Sequence, residues 1–262
     1  MKNALHAEWT KQRSLSGTAW LLFALVAATV VVGAATSGSI DTSRCPSPAQ
    51  CLEDTTKLTF TGVWFGQVAA VVLAGLTMTS EYSTKMIHTT LASNPRRIQV
   101  LTAKAVVMGT LVVTAGTLAA LGSLIVGGLV LHGSGFTAAN GYPVMSLADE
   151  PTLRATVGTV LYLGLVALFT LGVATAIRDT AGTITVVLGI LFAFPIMAQF
   201  VTDPLWAERL SRLAPMTAGL AIQATRGLED LPIGPWAGLG VLAAYAGAAL
   251  LLGGIVLKSR DA

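Results

Sequence analysis

Long apolar runs alternate along the chain with short polar breaks, and the lengths of the runs decide the class of fold. About 20 consecutive, mainly apolar residues carry a helix across the hydrocarbon of a bilayer. Six runs meet that length, at about 17–37, 58–80, 105–131, 155–177, 181–201 and 235–257. The pattern predicts an all-α, polytopic membrane protein with six transmembrane helices in one domain over 1–262. Ahead of the first span, Leu5, Trp9 and Leu15 are placed to lie along a membrane interface while Lys2, Lys11 and Arg13 face headgroups or solvent. Residues 1–16 are therefore expected to hold an N-terminal interfacial helix that includes Glu8, Trp9, Lys11 and Arg13, a simple charged anchor being the other reading. They are too polar and too long for the charged start of a signal peptide, and no small-residue cleavage pattern follows, so the segment is expected to stay attached.

The break between spans two and three, Glu81 to Lys104, is the longest strongly basic one. Glu81, Lys85, Arg96, Arg97 and Lys104 would each cost about 2.5–3.5 kcal/mol at a bilayer centre, which places the stretch outside the hydrocarbon. Read as a helix, Glu81 to Ala92 sets Tyr82 with Met86 and Ile87 with Leu91 on one stripe beside Lys85, His88 and Thr89. Asn94 then caps, and Pro95 opens, the helix that leads into span three. A short helix held between two spans is either an ordinary basic loop or a docking element for a partner.

Composition sharpens the class. The chain is 53% hydrophobic and 11% charged with a mean hydropathy of +0.72, far from the roughly 25% charge of soluble proteins. Lysine and arginine set the orientation. With both termini cytoplasmic, the inner segments hold Lys2, Lys11, Arg13, Lys85, Arg96, Arg97, Lys104, Arg178, Lys258 and Arg260, ten of the sixteen basic residues. The positive-inside rule favours that arrangement, in a cell membrane, with 81–104 cytoplasmic and 202–234 outside. The net charge of +3 then reflects topology and predicts no nucleic-acid partner.

Candidate chemistry is sparse. Cys45 and Cys51, the only cysteines, are close enough in an outer loop to form a disulfide or to remain two free thiols. No His or further Cys lies beside them, so no metal site is expected. There is no GxxxxGK[ST] phosphate loop, no HExxH and no GxSxG, and His6, His88 and His132 fall in separate segments. Catalytic residues and a bound cofactor are therefore not expected on this chain. Within the six runs no ionisable residue falls in the interior and only Gln67 and Gln199 stand out, which disfavours a proton-driven carrier. A turn of only Arg178-Asp179-Thr180 forces spans four and five into a tight hairpin, and Pro215 divides 202–234 into one or two short helices or a loose loop.

Four places resemble a known family: Glu8-Trp9-Thr10-Lys11-Gln12-Arg13-Ser14 before span one; Glu81-Tyr82 through Thr89-Thr90-Leu91 to Pro95-Arg96-Arg97 and Ala103-Lys104; Arg178-Asp179-Thr180-Ala181-Gly182; and the Arg260-Asp261-Ala262 ending. Together they make the chain similar to the six-span permease subunit of bacterial ABC exporters of the type-2 permease superfamily. The resemblance implies a coupling helix, Glu81, Tyr82, Lys85, Met86, Ile87, His88, Thr89, Thr90 and Leu91, that docks on two copies of a separate ATPase subunit holding ATP and Mg. It implies a second permease chain, identical or homologous, and a substrate path along spans two and five, for which Trp64, Phe65, Gln67, Met197 and Gln199 are candidates. The family usually has Gly-Thr where this chain has Lys85-Met86. Two other readings stay open: a non-transporting membrane scaffold or signalling subunit, and an ion-coupled carrier.

Overall fold

The structure, a computed structural model, describes residues 1–42, 53–93, 96–140, 142 and 145–259. Cys45, Cys51, Asn94, Pro95 and the Arg260-Asp261-Ala262 ending lie outside the described residues. Eleven α-helices and no strand occur among those described: α1 Lys2–Ser14, α2 Ser16–Gly38, α3 Thr55–Thr59, α4 Val63–Ser83, α5 Met86–Ser93, α6 Arg97–Gly133, α7 Glu150–Ile177, α8 Thr180–Phe200, α9 Pro204–Leu213, α10 Pro215–Leu220 and α11 Pro235–Ser259. Six of them, α2, α4, α6, α7, α8 and α11, are long and apolar enough to span a membrane, making this a multi-pass membrane protein. With six crossings, both chain termini fall at one end of the bundle, here the terminal end; the opposite end is the far end.

Helix boundaries differ from the hydropathy pattern at the terminal end. The span expected to end at Ser80 continues as α4 through Ser83, while α6 begins at Arg97, in agreement with the expected second helix that runs into span three. The expected single helix over Glu81 to Ala92 is divided after Thr84 by Lys85, whose φ of 60° turns the chain. The cause is that hydropathy ends a span at its first charge, whereas a helix ends only where its backbone hydrogen bonds do. At about 1.5 Å per residue the 37 residues of α6 extend roughly 55 Å, well beyond a hydrocarbon core of about 30 Å.

Helices α4 and α7 form the centre. Buried residues occupy most of the circumference of each, and α7 packs against α4, α6 and α11. By contrast α8 buries only Thr183, Val187 and Leu191, one stripe at a spacing of four. Close helix approach relies on glycine: a Cβ on Gly62 would collide with the Thr29 carbonyl of α2, and one on Gly238 with the Ala218 carbonyl. The short turn between α7 and α8 closes as the sequence requires. Arg178 adopts the left-handed conformation at φ 64°, and the Asp179 carboxylate accepts the Gly182 N–H at 2.7 Å to cap α8.

At the far end the segment over 202–234 is ordered. Pro215 opens α10, and Met216 and Ile222 are fully buried, so this part enters the bundle instead of lying on its surface. Asp54 ties it down. Its carboxylate caps α3 by accepting the Lys57 N–H at 3.0 Å, and it accepts the Thr225 N–H, the Thr225 hydroxyl and the Arg226 N–H at 2.6, 2.7 and 3.1 Å.

Candidate functional site

The terminal end gathers nearly all of the expected partner-facing residues around the last turn of α4. Adjacent positions on a helix point about 100° apart, and Glu81 and Tyr82 accordingly engage different neighbours. Lys104 of α6 forms ion pairs with Glu81 and, at 2.9 Å, with Glu8 of α1, and Lys11 of α1 forms a second pair with Glu81. The Lys104 and Glu81 side chains are 0% and 1% exposed, whereas Lys11 is 27% exposed. Two carboxylates and two ammonium groups give the cluster zero formal charge. Pairing of this kind is what allows charges to be buried, because an isolated buried charge costs far more than it returns. The Lys104 ammonium also donates to the Thr77 carbonyl at 3.4 Å.

Two features of this cluster go beyond the sequence reading. Lys104 and Glu81, expected outside the hydrocarbon, are buried on the packed faces of α6 and α4. Lys104 lies three and four residues from Leu101, Val100 and Met108, all buried, and a charge on such a face needs a partner. That periodicity was the signal available in the sequence, masked by ending each span at its first charge. Second, Lys11, expected to face headgroups or solvent, pairs with buried Glu81. Glu8 and Gln12, one turn apart, face inward, and the Gln12 amide oxygen accepts the Thr18 hydroxyl at 3.0 Å across the break at Leu15. Trp9 and Arg13 stay exposed.

Tyr82 faces the other half of the bundle. Arg178 lies over its ring, 4.9 Å from the centroid, a cation–π contact. Arg178 also donates to the Val256 carbonyl at 3.3 Å, and Arg97 donates to the Leu257 carbonyl at 2.8 Å. The last carbonyls of a helix lack intrahelical donors and carry the negative end of its dipole, so two arginines from α6 and the α7–α8 turn fasten the end of α11. Arg97 and Arg178 were not among the sequence-predicted site residues.

Among the described side chains of helix α5, Ile87 is the buried one. Ile87 is 2% exposed and packs with Met78, Leu101, Leu171, Ala174 and Leu257, contributed by α4, α6, α7 and α11. Burial of a side chain that size contributes about 1.5–3 kcal/mol. Lys85, Met86, His88 and Thr89 are exposed and Thr90 is partly so. The outcome is a short helix that exposes Met86, His88 and Thr89 and contributes Ile87 to a buried cluster drawn from four spans.

Of the candidate path residues, Gln67 is buried and the other four are exposed. Gln67 is fully buried: its amide oxygen accepts the Tyr162 hydroxyl and its amide nitrogen contacts the Met216 sulfur at 3.4 Å. Trp64 is 41% exposed and meets Phe192 of α8 edge to face at 6.4 Å. Phe65, Met197 and Gln199 face outward from α4 and α8. Comparison with known proteins adds no relative: no family profile matches the chain, and no curated protein matches it.

Proposed function

We propose that this chain is the membrane-spanning permease subunit of an ATP-driven ABC exporter of the type-2 permease superfamily, acting as a dimer of identical or homologous chains. Two separate ATPase subunits bind ATP and Mg and dock on α5 from the cytoplasm. What supports the reading is the way α5 is mounted: Met86, His88 and Thr89 are exposed, while Ile87 belongs to a buried cluster with residues of α4, α6, α7 and α11. A displacement of α5 by closing ATPase subunits passes through Ile87 to α4, α6, α7 and α11. The Glu81 and Tyr82 contacts pass it in parallel to α1 and to the end of α11. Packed interfaces switch between discrete arrangements instead of deforming smoothly, so a small push at α5 is converted into rigid tilting of spans. On this reading both termini are cytoplasmic, in the cell membrane. Trp64, Phe65, Met197 and Gln199, on outward faces of α4 and α8, are assigned to the path between the two chains.

The test uses the full chain co-expressed with a candidate ABC ATPase subunit from the same genome. Thr89→Pro places a proline inside α5, removing a helical hydrogen bond, and His88→Asp changes the charge of the free face. Both variants are expected to insert into the membrane while losing co-purification of the ATPase and stimulation of its ATP hydrolysis, and His88→Asp, at an exposed position, is expected to melt like the native chain. Native-level hydrolysis in both variants would remove α5 from coupling. A chain that binds an ATPase without altering its hydrolysis would favour a scaffold.

A further inference from the structure

A concave pocket of about 420 Å³ opens at the far end between α4, α8 and the segment that follows α9. Its walls include Trp64, Pro195, Met216, Leu220 and Ile233, and Lys57 stands among the lining residues. Volumes of about 300–1,000 Å³ with mainly apolar walls and a few placed polar groups are the pattern of small-molecule sites. The pocket is closed toward the bundle interior, because its lining residue Met216 is fully buried and sits against Gln67, which is in turn held by Tyr162. Among the described residues no acidic side chain lines it. Lys57 is exposed, and its ammonium has no hydrogen bond or ion pair among the described residues. The nearest carboxylate along the chain, Asp54, is occupied by three backbone N–H groups and the Thr225 hydroxyl.

We infer that this pocket binds a single-chain amphipathic acid, its apolar body against Trp64, Pro195 and Ile233 and its anionic head at Lys57. An apolar cavity selects a greasy body, and an unpaired ammonium on a flexible apolar stem selects the sign of the head. A volume of about 420 Å³ is too small to enclose both chains of a phospholipid. The inference goes beyond coupling to an ATPase: the pocket is complete within one chain, and ligand binding there requires neither ATP nor a partner.

The test is photolabelling of the purified full chain in phosphatidylcholine nanodiscs with a diazirine-bearing decanoic acid, beside its methyl ester, at mildly alkaline pH where the acid is ionised. The acid is expected to label pocket peptides saturably, and the ester about three- to fivefold more weakly, the size of one partly exposed charge pair. Lys57→Gln should bring acid labelling down to the ester level without changing the melting temperature, and Lys57→Arg should retain it. Equal labelling by acid and ester, labelling confined to other surfaces, unchanged labelling of Lys57→Gln, or displacement of the probe by added phosphatidylglycerol would each overturn the inference. Loss of ATPase coupling in the α5 variants with labelling intact would leave this site standing, and labelling failure with coupling intact would remove this site alone.

Discussion

At the terminal end, four charged side chains from α1, α4 and α6 meet in a buried cluster in which Lys104 and Glu81 each pair with two partners. At the far end a single carboxylate, Asp54, is surrounded by backbone N–H groups and one hydroxyl. The difference is one of mobility. Side-chain ion pairs with shared partners can re-form in another register when helices slide, since Glu81 already divides its interaction between two ammonium groups. A carboxylate held by backbone donors at the start of α3 and at Thr225 and Arg226 has no second arrangement without unfolding one of those segments. The terminal end is built to shift, and the α3 side of the far end to stay in place.

The largest effect is expected from breaking the cluster. Lys104→Leu leaves Glu8 without a partner and Glu81 with Lys11 alone, in a site that excludes water. Removing one partner of a buried pair costs about 3–5 kcal/mol, whereas replacing a whole buried ionic group with apolar side chains is often neutral. Lys104→Leu should therefore lower the thermal midpoint of the detergent-solubilised protein by on the order of 10 °C. Adding Glu8→Leu and Glu81→Leu should restore most of it, because partly exposed Lys11 can extend to solvent. A native midpoint for the single variant would mean that the cluster is not buried in the membrane-embedded protein.

How much of this contrast could be read from the chain depends on the kind of signal each part leaves. The six spans were legible because apolar length is a local property. The α7–α8 hairpin was legible because only Arg178 and Asp179 separate the helices, and α10 because Pro215 opens it. The expected features at Cys45, Cys51 and Asn94 lie outside the described residues. Pairing was not legible. Glu8 and Lys104 are 96 residues apart, and Asp54 and Thr225 are 171 apart, so no local pattern joins them. Lys104 within a buried periodic face signalled that a partner was needed without saying which. Gln67 was conspicuous as a lone amide in an apolar run, but sequence alone does not distinguish a path residue from one that, as here, bonds to Tyr162 and Met216 inside the packing.

A smaller effect is expected at the far end. Asp54→Ala removes a carboxylate that accepts four hydrogen bonds, but three of the donors are backbone N–H groups near the surface, where water can replace it. Hydrogen bonds to a charged group contribute about 1.5–3 kcal/mol each when fully protected, and solvent access should keep the whole loss near the lower bound of about 1.5 kcal/mol. The sharper observation is additivity. The Asp54 and Lys104 sites share no partner, so the destabilisation of a double variant should equal the sum of the single ones within about 0.5 kcal/mol. Non-additivity in equilibrium unfolding would mean that the two ends are energetically coupled, contrary to the division drawn above.

The weakest contact tests the boundary of the mobile region. The Thr180 hydroxyl at the start of α8 donates to the Thr79 hydroxyl of α4 at 2.7 Å, and α8 otherwise buries a stripe of only three residues. Hydrogen bonds between helices in membranes average about 0.6 kcal/mol, so Thr180→Val should barely move the thermal midpoint. Its effect on motion should be larger than its effect on stability, because α8 has few other ties to α4 at the terminal end. A spin-label pair on exposed Ser83 and Ala181 should show a broader distance distribution in Thr180→Val than in the native chain, while a pair on Lys57 and Gly227 at the clasped far end keeps its native width. Equal broadening of both pairs would erase the distinction between a shifting end and a fixed one. No broadening of the first would mean that the Thr183, Val187 and Leu191 stripe alone fixes α8.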